Sequence, residues 1–424
     1  MNFLSELQYR GMLHQLTPGI EDILKEPGVV GYIGFDPTAP SMTIGNYVQI
    51  MLLRLWQLSG HRPIVLMGGA TGRIGDPSGK DKERELKTFE ELDANLAAQV
   101  EQVKRLLDFD GPNGAILVNN LDFYKDMSAL EFLRGVGKTL TINYMLAKDS
   151  VKNRIETGMS FTEFSYQLLQ GNDFKCLYEQ HHCLVQMGGS DQWGNITGGI
   201  EFVRRGLGEK VYAVTTPLLT KADGSKFGKS EKGNIWLSAD LTSPYEFYQF
   251  WLRSSDEDIP KFIKYFSLRS REEMDTLIAR IEAKEDPQGV KKELAAELTE
   301  RIHGAAGLEE AERVTQLLYG RGATREDLLK IEARALAGLK QTIQSFDLDK
   351  SDIGQLSIVD WMEKTGVVSS KSESRRAVKN NAVSLNKVKV TDAEHVFQTE
   401  DLLHNRYILL ENGKKNKFLF DFGA

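Results

Sequence analysis

Residues 32–49, YIGFDPTAPSMTIGNYVQ, decide how the chain folds. The stretch opens as an apolar, β-prone run and breaks at an Asp-Pro pair. Ser41 or Thr43 can then serve as the N-cap of a helix, because apolar residues recur at helical spacing up to Gly60. Glycine-bearing turns and helix N-termini hold phosphate groups in α/β proteins. Many strand–turn–helix units have only a structural role. A second sequence feature is therefore needed before this stretch predicts a phosphate-binding site.

Short apolar runs alternate with helical patterns from about residue 28 to residue 217. The candidates for buried strands are residues 64–67, 115–118 and 211–214. Strands separated by helices indicate a parallel sheet with helices on both faces, and ligands collect at the carboxyl ends of its strands. The sequence therefore predicts an α/β fold built on a parallel sheet.

The composition is that of an ordinary folded protein. The chain has 424 residues, of which 41% are hydrophobic and 27% are charged. That length allows about two to four domains and a large core. The net charge of −7 does not favour nucleic-acid binding. It does not exclude it either, because lysines and arginines can be concentrated locally.

Nothing in the sequence indicates a metal site, export or membrane insertion. Cys176 and Cys183 lie near His181 and His182 without the spacing of a four-ligand site, so zinc is not expected. The N-terminal segment has no apolar signal core, and no segment reaches the ~18–20 apolar residues of a membrane span. The sequence predicts a cytoplasmic protein with reduced cysteines.

A second glycine-bearing loop lies far along the chain, at residues 220–230, TKADGSKFGKS. It carries Lys226, Lys229 and Ser230, and by itself it is an ordinary solvated turn. Together with the first stretch it resembles the KMSKS signature of class I aminoacyl-tRNA synthetases, and residues 43–46, TIGN, fall where the HIGH signature belongs. Four more stretches extend the resemblance to the bacterial tyrosyl-tRNA synthetase family over nearly the whole chain: GFDPTA (34–39), GGATGRIGDPSGK (68–80), FTEFSYQLLQ (161–170) and QMGGSDQWGNIT (186–197).

The resemblance implies four successive regions and a homodimer, whose contact this family forms through its connective insertion. In order, the regions are a Rossmann-like catalytic domain (1–230, with the insertion at about 121–185 and the signature loop at 220–230), a helical anticodon-side domain (231–320), a linker (321–350) and a small α/β RNA-binding domain of ribosomal-protein type (351–424).

The last region contains a strongly basic helical pattern. Six basic residues and one acidic residue lie between residues 371 and 389. Such a face can be merely solvated, but lysine and arginine contacts to phosphates supply most sequence-independent affinity for nucleic acid. The resemblance favours the RNA-binding interpretation. The expected tRNA contacts are Lys371, Arg375, Arg376 and Lys379.

The resemblance implies that tyrosine and ATP form tyrosyl-adenylate and pyrophosphate, after which the tyrosyl group passes to the 3′-terminal adenosine of tRNA(Tyr). Such chemistry needs in-line positioning and neutralisation of developing charge, and no protein nucleophile. The implied partners are L-tyrosine, ATP with its accompanying Mg²⁺ and tRNA(Tyr), with no tightly bound cofactor, no DNA and no membrane. The residues implied in catalysis are Lys226, Lys229, Ser230, Thr38, Thr43, Asn46, Lys80 and Arg84, and those implied in ATP binding are Gly34, Asp36, Gly45, Gly189, Asp191 and Lys229.

Selection of tyrosine requires polar groups that pair with its phenol. Tyr166, Gln170 and Asp173 follow i, i+4, i+7 spacing, which puts them on one side of a helix, either as a pocket wall or as an exposed polar face. By resemblance the tyrosine-binding residues are Tyr32 and Asp173 for the phenol, Tyr166, Gln170 and Asp76 for the ammonium group, and Gln192 near the carboxylate.

The HIGH position departs from the family pattern. Its first histidine is replaced by Thr43 and its last by Asn46. Both keep a hydrogen-bond donor, but threonine is shorter than histidine and cannot carry charge. Two alternatives stay open, and the change at Thr43 supports only the second of them. A tryptophanyl-type synthetase is disfavoured by the pair Tyr32 and Asp173, and a catalytically silent RNA-binding protein on the same fold is disfavoured by the intact 226–230 loop.

Overall fold

The structure is a computed structural model that describes residues 1–78, 87–148, 151–152, 158–230, 233–320, 322–341, 343–413 and 416–423. Its contacts divide the chain into two compact units. The first unit comprises Met1–Ser238 and Ser254–Val290, and the second comprises Ala239–Arg253 and Lys291–Ala424.

Among the described residues, helices and strands alternate in about the first half of the chain, and six successive α-helices follow between residues 244 and 338. The α-helices are α1 (Phe3–Arg10), α2 (Ile20–Ile23), α3 (Ile44–Leu58), α4 (Phe89–Leu106), α5 (Ala129–Gly135), α6 (Ile142–Leu146), α7 (Phe161–His181), α8 (Trp193–Leu207), α9 (Pro244–Leu252), α10 (Ile259–Phe266), α11 (Arg271–Glu282), α12 (Pro287–Tyr319, interrupted at Gly304), α13 (Arg325–Leu329), α14 (Ala333–Gly338), α15 (Ile358–Lys364) and α16 (Lys371–Lys379). The strands are β1 (Gln15–Leu16), β2 (Val30–Phe35), β3 (Arg62–Met67), β4 (Ile116–Asn119), β5 (Cys183–Gly189), β6 (Tyr212–Thr216), β7 (Lys229–Ser230), β8 (Gly233–Asn234), β9 (Gln344–Asp347), β10 (Val383–Leu385), β11 (Val388–Lys389), β12 (Tyr407–Asn412) and β13 (Asn416–Asp421).

The first unit is built on a six-stranded sheet in the order β1-β6-β5-β2-β3-β4. All neighbouring strands are parallel except β1, which runs antiparallel to β6. The chain proceeds from β2 to β3 and β4 on one side, and β5 and β6 lie on the other side. The strand order therefore reverses between β2 and β5, which is where doubly wound sheets bind ligands. The predicted α/β class with a parallel sheet is confirmed.

Helix α3 follows β2, and its start is fixed by a capping box. Thr43 Oγ1 accepts from the Asn46 N–H at 3.3 Å, and the Thr43 N–H donates to Asn46 Oδ1 at 2.9 Å. The Thr43 hydroxyl also donates to Asn46 Oδ1, at 2.8 Å. Two backbone N–H groups at the helix start are thus satisfied by side chains. Of the two N-cap candidates in the sequence, Thr43 is the one used.

The other end of α3 is seated on β2 through Gly31. Trp56 is fully buried, and its indole would lie 2.9 Å from a Cβ added at Gly31. The absence of a side chain at Gly31 therefore lets the helix approach the strand. This contact sets how closely the C-terminal part of α3 packs against β2.

Helices α10 and α11 group with the parallel-sheet unit, although the sequence places residues 231–320 in one helical region. The buried Arg10 guanidinium of α1 donates to the carbonyls of Lys264 and Ser267, at 2.7 and 2.8 Å. Glu6, also buried, accepts from Arg10 and from Arg271. Buried charges of this kind require such pairing, so α1 ties α10 and the start of α11 to the first unit.

The second unit contains a five-stranded sheet in the order β11-β10-β12-β13-β9. Strand β9 lies within residues 321–350, which the sequence predicts as a linker. It pairs in parallel with β13, and the ring of Phe346 lies 5.7 Å from that of Phe420. The sequence signal is weak because this strand carries one large apolar residue between polar neighbours. The sheet thus begins before residue 351.

None of the α-helices in the described part of the chain is both long and apolar enough to cross a bilayer.

We expect Gly31→Ala to lower the free energy of unfolding by about 1–3 kcal/mol, since its Cβ would collide with the indole of Trp56. Gly135→Ala is the matched control: its added Cβ would meet no described atom within 4 Å, and alanine favours the helix. Urea unfolding of both variants measures the difference. Equal midpoints for the two variants would contradict the proposed seating of α3.

We expect Thr43→Ala to reduce the free energy of unfolding by about 1 kcal/mol, because the capping box loses its hydroxyl acceptor. Thr43→Ser keeps that oxygen and should stay close to the parent chain. Thermal and urea unfolding would compare the three proteins. A loss of the same size in the serine variant would show that the threonine methyl group, and not the cap, stabilises this helix start.

Candidate active site

A cavity of about 240 Å³ opens at the carboxyl ends of β2 and β5, where the strand order reverses. Helix α7 supplies its opposite wall. The position agrees with the rule for open α/β sheets. The sequence-predicted residues that line this cavity are Tyr32, Gly34, Asp36, Thr38, Asn46, Asp76, Tyr166, Gln170, Asp173, Gly189 and Gln192.

The carboxylate of Asp173 lines this cavity and belongs to a residue that is only 1% exposed. Its Oδ1 accepts from the Tyr124 hydroxyl at 2.6 Å, and its Oδ2 accepts from Asn120 Nδ2 at 2.9 Å. Burial raises the pKa of this carboxyl to about 7, the two hydrogen bonds oppose that rise, and the charge of Asp36 adds to it. Both carboxylate oxygens are therefore held in place while further lone pairs stay available.

The hydroxyl of Tyr32 lines the same cavity and is buried without a hydrogen-bond partner among the described residues. Burial raises the pKa of this phenol well above its usual value, and the nearby charge of Asp173 raises it further. A buried unpaired hydroxyl costs free energy, so native proteins rarely keep one without a reason. Such a group is ready to pair with a polar ligand atom.

A continuous hydrogen-bonded network connects Asp173 to the mouth of the cavity. Asn120 Nδ2 also donates to Thr71 Oγ1 at 2.9 Å, and Thr71 donates to Asp36 Oδ1 at 2.6 Å. Tyr166 donates to Asp36 Oδ2 at 3.0 Å. A Cβ at Gly68 would lie 2.0 Å from Asp36 Oδ1, so a glycine is required there. These hydrogen bonds hold both carboxylates in place.

A second polar group gathers around Asp76. Its Oδ2 accepts from Gln192 Nε2 at 2.8 Å, and its Oδ1 accepts from the Ser78 N–H at 2.9 Å and from Asn195 Nδ2 at 3.3 Å. Gln170 Oε1 is buried and has no hydrogen-bond partner among the described residues. The cavity thus combines a carboxylate and a spare carbonyl, which are acceptors suited to a cation.

Thr43 lies outside this cavity, in an adjoining hollow that also contains Thr38 and Asn46. Its hydroxyl is engaged in the capping box described above, so a phosphate contact from it would compete with that box. Gly45 and Asn46 are exposed at the helix start. The N-terminus of α3 therefore presents backbone groups at the opening of the site.

The 220–230 loop packs against the same helix start. Gly228 has a φ of 81°, and a Cβ there would lie 2.7 Å from Ile44 and 3.5 Å from the Gly45 nitrogen. Phe227 anchors the loop, with its ring 5.0 Å from that of Phe262. The loop backbone is thus fixed on α3.

The remaining predicted site residues lie outside the cavity or outside the described residues. Lys226 and Lys229 are exposed and do not line the cavity. Asp191 is exposed beside Gly189. Lys80 and Arg84, and the side chain of Ser230, lie outside the described residues.

The sequence analysis missed Thr71, Asn120 and Tyr124, which hold Asp36 and Asp173. Thr71 lies in the quoted 68–80 motif, and Asn120 directly follows β4, so strand-end position could have indicated both. Tyr124 has no such signal. Its role depends on packing against α7 and appears only in three dimensions.

The expected tRNA-contacting residues lie on α16, where they are differently engaged. Lys371 pairs with Asp360 at 2.7 Å, and Arg375 pairs with Glu394 at 3.3 Å. Arg376 and Lys379 are exposed and form no ion pair with another described residue. Of the six basic residues between 371 and 389, Lys387 has a side chain only 8% exposed and pairs with Glu411 at 2.7 Å, so it is less available to a ligand.

Sequence comparison gives two family matches. Residues 25–320 match the family described as class I tRNA synthetases for W and Y, and residues 337–420 match the tyrosine–tRNA ligase SYY-like C-terminal domain. The chain is 47% identical to the tyrosine–tRNA ligase of Cytophaga hutchinsonii over 99% of both chains, and 48% identical to that of Flavobacterium johnsoniae, also over 99% of both.

Structural comparison agrees. A C-terminally truncated Aspergillus nidulans mitochondrial tyrosyl-tRNA synthetase is 32% identical with a TM-score of 0.67, covering 75% of this chain and 94% of that one. A tryptophanyl-tRNA synthetase from Encephalitozoon cuniculi, 14% identical with a TM-score of 0.53, covers 78% of this chain and 89% of that one and shares the fold alone. The chain therefore belongs to the class I tRNA synthetase family of the tryptophan and tyrosine enzymes and, within it, to the tyrosine–tRNA ligases.

Proposed function

We propose that this protein activates L-tyrosine with ATP to give tyrosyl-adenylate and pyrophosphate, and then transfers the tyrosyl group to the 3′-terminal adenosine of tRNA(Tyr). The observation that carries the proposal is the inner end of the cavity. There the buried hydroxyl of Tyr32 and the buried carboxylate of Asp173 line the same cavity. A phenol fits this end because it can both donate and accept a hydrogen bond.

The same two groups account for selectivity. The substrate phenol would donate to Asp173 and accept from Tyr32, whereas phenylalanine would leave both groups buried and unpaired. A site built to bind a substrate hydroxyl rejects the analogue that lacks it, and tyrosine–tRNA ligases are themselves the standard example of this rule. An indole N–H could pair with Asp173 but offers no acceptor to Tyr32.

The amino acid head group would lie at the second polar cluster. Its ammonium group would pair with Asp76, Gln170 Oε1 and Tyr166, and Gln192 would lie near its carboxylate. Support comes from the unpaired Gln170 carbonyl and from the three hydrogen bonds that hold Asp76. The carboxylate would then point towards the start of α3, where ATP would bind between Gly34, Asp36, Gly45, Gly189 and Asp191.

In the first step, a tyrosine carboxylate oxygen attacks the α-phosphorus of ATP, and the bond to the bridging oxygen of pyrophosphate breaks. The protein contributes positioning and charge neutralisation, which is what this chemistry needs. Lys226 and Lys229 would neutralise the negative charge that develops on the leaving pyrophosphate. Ser230, Thr38, Thr43, Asn46, Lys80 and Arg84 complete the proposed phosphate contacts.

Mg²⁺ would enter with ATP as part of the substrate. Within the described residues, no group of three His, Cys, Asp or Glu side chains could hold a metal ion. Mg²⁺ commonly relies on substrate phosphates and water instead of an all-protein cage.

We also propose a cytoplasmic homodimer that binds tRNA and neither DNA nor membrane. The insertion at about 121–185 exposes several large apolar side chains, a pattern typical of an interface. They are Leu130 (78% exposed), Leu133 (53%), Ile142 (67%) and Phe161 (72%). The basic helix α16 would contact tRNA phosphates.

A charging assay tests the proposed function. Purified protein is incubated with ATP, tRNA(Tyr) and radiolabelled tyrosine, with tRNA(Trp) and tryptophan as the parallel reaction. We expect acid-stable charging of tRNA(Tyr) with tyrosine only. Charging with tryptophan would establish the tryptophanyl alternative, and binding of tRNA without any charging would establish the silent RNA-binding alternative.

We expect Lys226→Ala and Lys229→Ala each to slow adenylate formation about 100-fold while tyrosine affinity stays unchanged, because the ammonium groups act on charge that appears in the transition state. Lys221→Ala, on the same loop, is the matched control. Rapid-quench measurement of adenylate, with equilibrium tyrosine binding in parallel, separates the two effects. Unchanged rates in both variants would remove the loop from the mechanism.

We expect Arg376→Ala and Lys379→Ala to weaken tRNA binding more than Lys371→Ala does, because Lys371 is already paired with Asp360. Loss of one phosphate contact should reduce the slope of log affinity against log salt by about 0.7–0.9. Lys364→Ala, whose ammonium pairs with Asp352, is the control. Filter binding at several salt concentrations provides the slopes. Equal slopes for all four variants would exclude α16 as the phosphate-binding surface.

A further inference from the structure

The hydroxyl of Tyr124 lies between two acceptors but has one proton to give. It is 2.6 Å from Asp173 Oδ1 and 2.9 Å from the carbonyl oxygen of Leu169, and Asn172 Nδ2 donates to it at 3.3 Å. Burial and the charge of Asp173 raise the pKa of this phenol well above its usual value, so it keeps its proton at neutral pH. The proton can therefore point to either acceptor.

Tyr124 does not line the cavity, so its influence on a ligand passes through Asp173. Its ring is packed edge-on against Phe123 and Phe132, with centroids 6.3 Å away in each case. This packing fixes the hydroxyl against α7. From the other side Asn120 Nδ2 holds Asp173 Oδ2. Rotation of the carboxylate is thus blocked at both oxygens.

Among the described residues, hydrogen-bond donors and not cations contact the carboxylate of Asp173. The groups that face it are Tyr124 and Asn120 from the segment after β4, Tyr32 and Asp36 from β2 and the residue after it, and Tyr166 and Cys176 from its own helix. Burial and the charge of Asp36 both favour the protonated acid, and the bonds from Tyr124 and Asn120 oppose them. The ionised form thus depends on these two donors.

We propose that Tyr124 is a positioning residue for recognition of the substrate phenol: by directing its single proton to Asp173 Oδ1, it keeps that carboxylate ionised and aimed at the phenol. When Asp173 takes up a proton on Oδ1, the bond reverses. The new acid donates to the Tyr124 oxygen, and the Tyr124 proton turns to the Leu169 carbonyl. No heavy atom needs to move, because both distances already fit.

The two states differ in how well they bind tyrosine. A carboxylate accepts a hydrogen bond roughly twice as strongly as a neutral group, so the ionised state favours the phenol. Tyrosine affinity should therefore be high above the pKa of Asp173, which is about 7, and fall below it. This inference rests on the proposed function, because Tyr124 would control the tyrosine affinity of the same site.

Tyr124→Phe removes the donor and keeps the ring. A hydrogen bond to a charged group is worth about one to two pKa units, so the pH midpoint of tyrosine affinity should rise by about that amount. At pH 7 the affinity should fall about 5- to 50-fold, and at pH 9 it should approach that of the parent chain. Tyr144→Phe is the matched control, since its hydroxyl contacts Thr197 and Lys148 instead.

The experiment is equilibrium binding of tyrosine to the full-length chain from pH 5.5 to 9, without ATP or tRNA, for the parent chain and both variants. Circular dichroism checks that each is folded, and Tyr124→Met, which also lacks the donor, replaces Tyr124→Phe if that variant does not fold. An upward shift for the Tyr124 variant alone supports the proposal. An unshifted midpoint, or a loss of equal size at every pH, overturns it.

The outcomes separate this proposal from the function it rests on. If the parent chain binds tyrosine with a pH midpoint that Tyr124→Phe leaves in place, the role of Tyr124 is refuted and the tyrosine site stands. If the parent chain binds no tyrosine at any pH, the proposed function itself fails.

Discussion

The site depends on one buried carboxylate, that of Asp173. A charge of this kind is costly inside a protein unless hydrogen bonds satisfy it. Here the two donors, Tyr124 and Asn120, come from the segment that follows β4, while the carboxylate itself belongs to α7. Asn120 also donates a hydrogen bond to Thr71, and Thr71 donates one to Asp36, the residue after β2. A single polar network thus ties four separate segments of the chain to one another around the cavity.

The two ends of the cavity differ in whether their polar side chains have hydrogen-bond partners. At the inner end the Tyr32 hydroxyl is buried without a described partner, and the Gln170 carbonyl beside the second cluster is in the same state. These groups lower the stability of the empty protein, and a matching ligand recovers that cost. At the outer end, by contrast, the Thr43 and Asn46 side chains already satisfy the helix start. The unpaired groups that can recognise the amino acid therefore lie at the inner end. At the outer end, the capped start of α3 can bind phosphate.

How much the sequence could predict depends on the range of the contacts involved. The parallel sheet, α3 and the face shared by Tyr166, Gln170 and Asp173 follow from local periodicity, and the structure has all three. Tyr124 could not be predicted, because its role arises from a contact with α7 that lies 49 residues further on. Strand β9 was missed for the same reason: its signal is one phenylalanine, and β13 supplies the edge on which it forms.

The central claim is that the inner end of the cavity selects tyrosine for activation. The most direct test is ATP–pyrophosphate exchange by the purified chain with each of the twenty amino acids in turn, in the absence of tRNA. The account predicts exchange stimulated by tyrosine alone, with phenylalanine and tryptophan at background. Exchange with tryptophan or phenylalanine at a comparable rate, or with none of the twenty, would contradict it.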